Sequence, residues 1–436
     1  MKRSIRFSMA FVLVFASLSF SQDVNKMSLD DCIAIALKNN TSIVSAQSFL
    51  KMAEAGLQSA RGEFMPSVDA VTQWQGQSED QSNFRFDQQV VSKESYFYRF
   101  SLSQPIFTGM RNLFNLKMNK ADRDYYRNSL LWTQELVVLE VKLNYYNVLK
   151  AIQLLTIAEE TLKMSDEELN RITAMEKAGV SSRAEVYQQK VQVGENKLLV
   201  IDARNGLSNA RTQLNYVLGI DVTTPVELVA DPTNVQVEIQ NINLDDAVEQ
   251  SFQSRLDYKY YQNKLDKANA KVKLQKSFYY PNLSFGANYS WWNIQFPERK
   301  SDITKLDSYS YTLNLSMNIF NGFQTQASVS SAKAEVIAAE ADLEQAKRQI
   351  ALDVKKTFLE LEKATEKIEA TKENITSAEE DYRLASERFR IGAGTLLDQN
   401  RAETSLSRAK MNRIQAMYDY KYASAALDLA LGKLSR

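Results

Sequence analysis

Two runs of this chain, Met110 to Ala178 and Phe323 to Ile391, contain neither proline nor glycine, and each is closed by a glycine, Gly179 or Gly392. At 1.5 Å of rise per residue, either run predicts a helix on the order of 100 Å long. That exceeds the diameter of an ordinary globular domain, so the runs demand an elongated partner. Both carry heptads. Val354, Leu361, Ile368, Ile375, Tyr382 and Phe389 recur every seven residues, with Ala364, Thr371, Ala378 and Ala385 between them. Val141, Val148, Leu155, Leu162 and Leu169 alternate in the same way with Ala151, Ala158, Ser165 and Ile172. Large residues set against small ones at this spacing predict helices packed side by side. An isolated solvated helix would lack the burial that stabilises most helices.

The two runs belong to a duplication. Ser28-Leu29-Asp30-Asp31 returns as Asn243-Leu244-Asp245-Asp246, and Pro66 as Pro281, both at an offset of 215. Past the hairpins the offset is 213: Ile106-Phe107-Thr108-Gly109 returns as Ile319-Phe320-Asn321-Gly322, and Leu218-Gly219 as Leu431-Gly432. A repeat that holds register so long divides the chain into copies at 22–219 and 243–436, joined by a proline-containing linker at 220–242. Each copy reads as a first helix up to the residue before its proline, a β-hairpin (67–106 and 282–319), the long helix, and a return helix.

The hairpins are two-faced. Leu283, Phe285, Ala287, Tyr289 and Trp291 alternate with Asn282, Ser284, Gly286, Asn288 and Ser290. In the next strand Tyr309, Tyr311, Leu313, Leu315 and Met317 alternate with Ser310, Thr312, Asn314 and Ser316. The first copy is rougher, with Val68, Ala70 and Trp74 on one face and Tyr96, Tyr98, Phe100 and Leu102 in the following strand. Strands of about ten residues with an apolar outer face, a polar inner face and interfacial aromatics are the pattern of a transmembrane barrel. A soluble sandwich alternates equally well, but four strands supply little partner sheet for so aromatic a face. Leu283, Phe285, Tyr289, Trp291, Tyr311, Leu313 and Leu315 are therefore expected to face outer-membrane lipid. Four strands cannot close, and hydrocarbon does not tolerate open edges. Two or three chains must share one barrel. A polar lumen favours three, because eight strands leave an interior that side chains fill.

Targeting and composition agree. Lys2, Arg3 and Arg6 precede an apolar run from Phe7 to Phe20, the pattern of a secretory signal over residues 1–21. The 53 basic and 53 acidic residues cancel, so nothing in the charge points to nucleic acid. Histidine is absent, which removes His-based triads and nearly all zinc sites. The twelve methionines form no cluster that would suggest a metal site. Cys32 is the one cysteine and reads as a small buried residue. No catalytic, metal or cofactor site is expected.

These features together resemble a known family. The tandem repeat, the proline before each hairpin, "LSQPIFTGMRN" (Leu102 to Asn112), "LSMNIFNGFQT" (Leu313 to Thr325) and "IGAGTLLDQNRAETSLSRAK" (Ile391 to Lys410) are similar to the outer membrane efflux proteins, the TolC-like channel-tunnels. The resemblance implies a mainly α fold with a transmembrane β-barrel: a homotrimer with twelve strands in the outer membrane of a Gram-negative-type bacterium, over a periplasmic α-barrel. It implies a passive exit duct of a tripartite efflux pump or type I secretion system, partnered by a periplasmic adaptor and an inner-membrane transporter. The adaptor-contacting tips would be Gly179, Val180 and Ser181 with Gly392, Ala393, Gly394 and Thr395. The family's acidic aperture ring maps onto Asp398, with Glu185 as its first-copy equivalent. Arg401 stands where the best-known member has a second aspartate. Phe389 and Gly394 replace its tethering tyrosine and arginine, so its polar lock does not carry over. The alternative is a structural periplasm-spanning coiled-coil protein or adhesin without transport activity, which leaves the strands unexplained.

Overall fold

The computed structural model describes residues 26–85, 88–229, 243–299, 302 and 307–434. The expected signal segment 1–21 and linker residues 230–242 lie outside them. The order is α1 (Leu29–Asn39), α2 (Thr41–Gly62), β1 (Ser67–Arg85), β2 (Gln88–Phe107), α3 (Arg111–Lys177), α4 (Arg183–Leu218), α5 (Leu244–Ser254), α6 (Leu256–Lys276), β3 (Asn282–Asn293), β4 (Asp307–Ser316), α7 (Gln324–Arg390) and α8 (Leu396–Ala430).

The two glycine- and proline-free runs are α3 and α7, each 67 residues long. Their starts are built identically: Gly109-Met110 and Gly322-Phe323 take left-handed φ values of 62°, 66°, 64° and 66° in turn. Their packing uses the small heptad residues as the contact line. Ala151, Ala158, Ser165, Ala364 and Ala378 are buried, while Leu155, Leu162, Leu361 and Ile375 beside them are half-buried. Small side chains let the backbones approach, and the larger ones close over the seam.

The expectation of one first helix per copy is corrected: a break at Asn40 divides α1 from α2, and one at Arg255 divides α5 from α6. Both residues have extended backbone, with ψ of 127° and 132°. Both helices before the hairpins also stop short of the proline, α2 at Gly62 and α6 at Lys276, the latter followed by a 3-10 turn. The break residues do the same work at the same place. The Asn40 side-chain amide donates to the Val217 carbonyl at 3.0 Å, and the Arg255 guanidinium donates to the Ala430 carbonyl at 3.4 Å. Val217 and Ala430 are equivalent positions, each in the last turn of a return helix. Thus α4 meets the start of α2, and α8 meets the start of α6. Along α3, α2 and α4 form one end-to-end line and α6 and α8 another.

The main core lies at this joint. Cys32, Ile33 and Ala36 of α1 pack on Val137, Val138, Val141 and Val148 of α3 and on Leu214, Val217 and Leu218 of α4. The described part of the linker is drawn into it. Met27 and Leu228 form a parallel bridge, and Tyr145 donates its hydroxyl proton to the Val229 carbonyl at 2.9 Å. A smaller copy of this core joins Ala247 of α5 to Val354, Leu427 and Ala430.

The joint sets a test. Gly219 (φ +69°) has Asn39 O 2.7 Å from where a Cβ would stand, whereas Gly179 (φ +76°) has nothing within 4 Å. Gly179→Ala should cost about 1 kcal/mol for the left-handed backbone alone. Gly219→Ala adds an unrelieved backbone clash and should cost about 3 kcal/mol. Thermal melting followed by circular dichroism should rank the two in that order.

Candidate duct and its periplasmic tips

The four strands form one antiparallel sheet in the order β1-β2-β3-β4. Cross-strand partners share a face, so the register decides which residues sit together. Tyr311 lies opposite Ala287, Ala287 opposite Leu102, and Leu102 opposite Val68. One row further along, Tyr309, Tyr289, Phe100 and Ala70 align. The aromatic and aliphatic residues of both hairpins thus form one continuous face. Val68, Trp74, Phe100, Tyr309, Tyr311, Leu313 and Leu315 on it are exposed in the single chain. The rings touch in ladders: Tyr289 with Phe100 and Tyr309, and Phe285 with Tyr311. The opposite face carries Asp69, Ser101, Asn288 and Ser310 in one row and Ser290 with Ser308 in the next. Ser290 and Ser308 are joined hydroxyl to hydroxyl at 3.0 Å.

Three features differ from the expectation. The first hairpin is much longer than about ten residues per strand: β1 and β2 have 19 and 20, because their ladder resumes beyond a register shift at Gly76/Gln81. Trp291, expected to face lipid, is only 1% exposed. Its indole N–H donates to the Asp302 carbonyl at 2.9 Å and its ring lies against Tyr98, so the chain itself covers it. The polar face is also not wholly polar, since Phe97 and Trp292 pair on it directly.

At the opposite end of the long helices the chain turns twice. Gly179 and Gly392, both at φ +76°, end α3 and α7 with paired reverse bonds: Val180 N–H to Met175 O at 2.9 Å, and Ala393 N–H to Arg388 O at 2.8 Å. This is the glycine C-cap in which the left-handed residue lets two carbonyls be satisfied at once. The return helices start with capping boxes. Ser182 accepts from Glu185 N–H, and the Glu185 carboxylate accepts from Ser182 N–H; Thr395 and Asp398 do the same. Ser181 at one tip also donates its hydroxyl to Glu185. These bonds hold both carboxyls below the usual range, the Ser181 hydroxyl contributing most at Glu185 and the Thr395 hydroxyl at Asp398. Among the described residues Arg401 makes no ion pair with Asp398; its charge adds only the smallest push on that carboxyl. Val180 and Ile391 stand exposed at the tips. Gly394 is packed, with Arg388 Cβ 3.0 Å from where a Cβ would stand, so the arginine that the resemblance would put there has no room without a shift.

A set of residues, of which the sequence reading named only Phe389 and Tyr382, joins the two helical pairs just inside the tips. The Arg171 guanidinium of α3 sits 5.3 Å from the Phe389 ring of α7, while Glu168 holds it from the other side. Asn196 of α4 donates to Glu403 of α8 at 3.4 Å, and Thr161 of α3 meets Ser407 of α8 at 3.2 Å. Glu403 is 3% exposed and, among the described residues, forms no ion pair; burial pushes its carboxyl up to about 7, opposed by the Asn196 bond and reinforced by the Glu168 charge. Tyr382 of α7 shares this environment. A polar residue inside a small-residue stripe was the available signal, and its burial depends on α3, α4 and α7 meeting there.

The fold therefore defines a class: an amphipathic sheet segment carried on two antiparallel helical pairs that run far beyond it. Residues 32–220 and 247–433 both match the family model described as outer membrane efflux protein. The chain belongs to the outer membrane efflux protein family. No curated protein matches it in sequence. Its fold is similar to that of the open-state MtrE outer membrane channel of Neisseria gonorrhoeae, at 20% identity and a TM-score of 0.75 over 94% of this chain and 90% of that one. It is similar to the CmeC outer membrane channel of Campylobacter jejuni, at 15% and 0.79 over 93% and 86%. The outer membrane protein VceC of Vibrio cholerae aligns at 14% and 0.79 over 93% and 96%. Family membership places the sheet in the outer membrane and the helices on the periplasmic side.

Glu403 gives a pH test. Its carboxyl titrates higher in the folded chain, at about 7, than its ordinary 4.5, so the folded state holds the extra proton between those values. Its contribution to stability is full below about pH 4.5, falls as pH rises to about 7, and is flat above. Glu403→Gln should abolish that component, so the melting temperature of the variant relative to wild type should rise from pH 5 to pH 8. An unchanged difference would mean that the carboxyl is not buried as described.

Proposed function

We propose that three copies of this chain close one twelve-stranded barrel and serve as the passive exit duct of a tripartite efflux pump or type I secretion system. The observation that carries this reading is the sheet itself. It presents a continuous aromatic and aliphatic face that, Trp291 apart, stands exposed or half-buried among the described residues, with β1 and β4 as its edges. In hydrocarbon each unpaired backbone group costs several kcal/mol, so β1 of one copy must meet β4 of the next. Leu283, Phe285, Tyr289, Tyr311, Leu313 and Leu315 then face lipid, and Ser284, Asn288 and Ser310 face water. The exposed turns at Gly179-Val180-Ser181 and Gly392-Ala393-Gly394-Thr395 offer themselves to a periplasmic adaptor, through which an inner-membrane transporter delivers cargo.

Two experiments test the architecture. Native mass spectrometry of detergent-extracted protein should give a trimer, and planar bilayers should show ion conductance. A membrane-inserted monomer, or a trimer without conductance, would leave a structural coiled-coil protein as the better description. Within the barrel, Phe285→Arg should block assembly, since a charge at mid-depth costs about 2–4 kcal/mol. Ser284→Arg should assemble and lower conductance. Equal tolerance would reverse the assignment of faces.

At the tips, Glu185 and Asp398 from three chains place six carboxylates about the periplasmic opening, with Arg401 one turn beyond Asp398. Such a ring attracts cations in a confined space. Trivalent cations added on the periplasmic side should partly block the channel. Glu185→Gln with Asp398→Asn keeps groups able to cap the helices and should abolish the block, whereas Arg401→Ala should strengthen it. Wild-type block in the double variant would remove these residues from the opening.

A further inference from the structure

The polar face of the sheet is built almost entirely of small uncharged residues. Opposite Gly286 stand Ser103 and Thr312, opposite Asn288 stand Ser101 and Ser310, and opposite Ser290 stand Arg99 and Ser308. The row beyond pairs Phe97 with Trp292. Both rows lie at the end of β3 away from the helices. Three large side chains thus crowd two adjoining rows of a face that is otherwise shallow.

Their chemistry is complementary. The Arg99 guanidinium lies 4.7 Å from the centroid of the Phe97 ring, which supports it from one side. Arg99 is exposed and, among the described residues, makes no ion pair, so its N–H edges are available. In the rows of this face from Ser67–Ser103 to Gln75–Ser95 it is the one cation, and the one acid is Asp69, paired across to Ser101. A guanidinium held by an aromatic ring is already oriented, so less freedom is lost when it grips a planar anion with two parallel N–H bonds. Trp292 in the adjoining row supplies a π surface on which the body of such an anion can stack.

We infer that Arg99, Phe97 and Trp292 form a recognition station for flat aromatic anions, carboxylates or sulfonates, inside the outer end of the barrel. The inference rests on the trimeric duct, in which three such stations ring one lumen and narrow it. Low-dielectric walls focus the field of the three guanidinium groups on a solute passing between them. The station makes the barrel's outer end a point of charge selection distinct from the acidic tips.

The test is single-channel recording of the full-length trimer with 1,3,6-naphthalenetrisulfonate added on the side of the β3–β4 turn. Wild type should show reversible block. Arg99→Gln should weaken it at least tenfold and shift the reversal potential in a potassium chloride gradient toward cation preference. Arg99→Lys keeps the charge without the planar fork and should fall between. Trp292→Ser should weaken block by the naphthalene compound while leaving block by inorganic tripolyphosphate unchanged, which separates stacking from charge. Wild-type block and reversal potential in Arg99→Gln would overturn the inference while leaving the duct intact. Equal loss of both blockers in Trp292→Ser would overturn the aromatic part. A wild-type trimer that conducts no ions would overturn the duct and the station with it.

Discussion

Everything in this molecule depends on making short helices serve as long ones. Helices α3 and α7 run the whole length of the helical part and need an apolar neighbour at every level. No single partner is long enough. The requirement is met by butting α4 against α2 and α8 against α6. Helix ends are where backbone groups lack partners, so each butt joint would leave carbonyls unsatisfied in a buried place. Asn40 and Arg255 answer this from the break residues, reaching to Val217 O and Ala430 O. Left-handed glycines at 219 and 432 let the chains approach to a distance that a Cβ would forbid.

The two repeats solve the same joint with different chemistry. Asn40 uses its amide both to cap α2 through Ser42 N–H and to hold α4. Arg255 is 3% exposed, and Asp257 and Asp353 pay for its burial while Trp132 covers its face. Burying a cation is tolerable only with partners arranged in this way. The second joint therefore ties α3, α6, α7 and α8 together, whereas the first relies on an apolar core containing Cys32 and Ile43.

Cohesion between the helical pairs comes from Arg171 on Phe389 and from the buried contacts of Glu403 and Ser407. Glu185 and Asp398 are bound into helix starts as capping residues. A capping role and a place at an opening are compatible, because a helix N-terminus at a turn presents its first residues to the space beyond it.

Much of this was legible in the sequence. The lengths of α3 and α7 follow from the absence of proline and glycine, their packing from the heptads, and the two faces of the strands from strict alternation. Each is a local periodic property, and periodicity survives in one dimension. The family was legible for the same reason, as an order of elements repeated at a constant offset. What tertiary structure decided is whatever depends on which elements meet. Asn40 and Arg255 share neither size nor charge, so their common task became visible only once each stood beside a return helix. Trp291 alternates as a lipid-facing residue should, yet it is buried with its indole N–H bound to the Asp302 carbonyl. Glu403 reads as one more charge on a helix, and only the convergence of α3, α4 and α7 strips it of water and raises its proton affinity. Burial is a property of neighbours, and a sequence names the neighbours along a helix or a strand but not those across it.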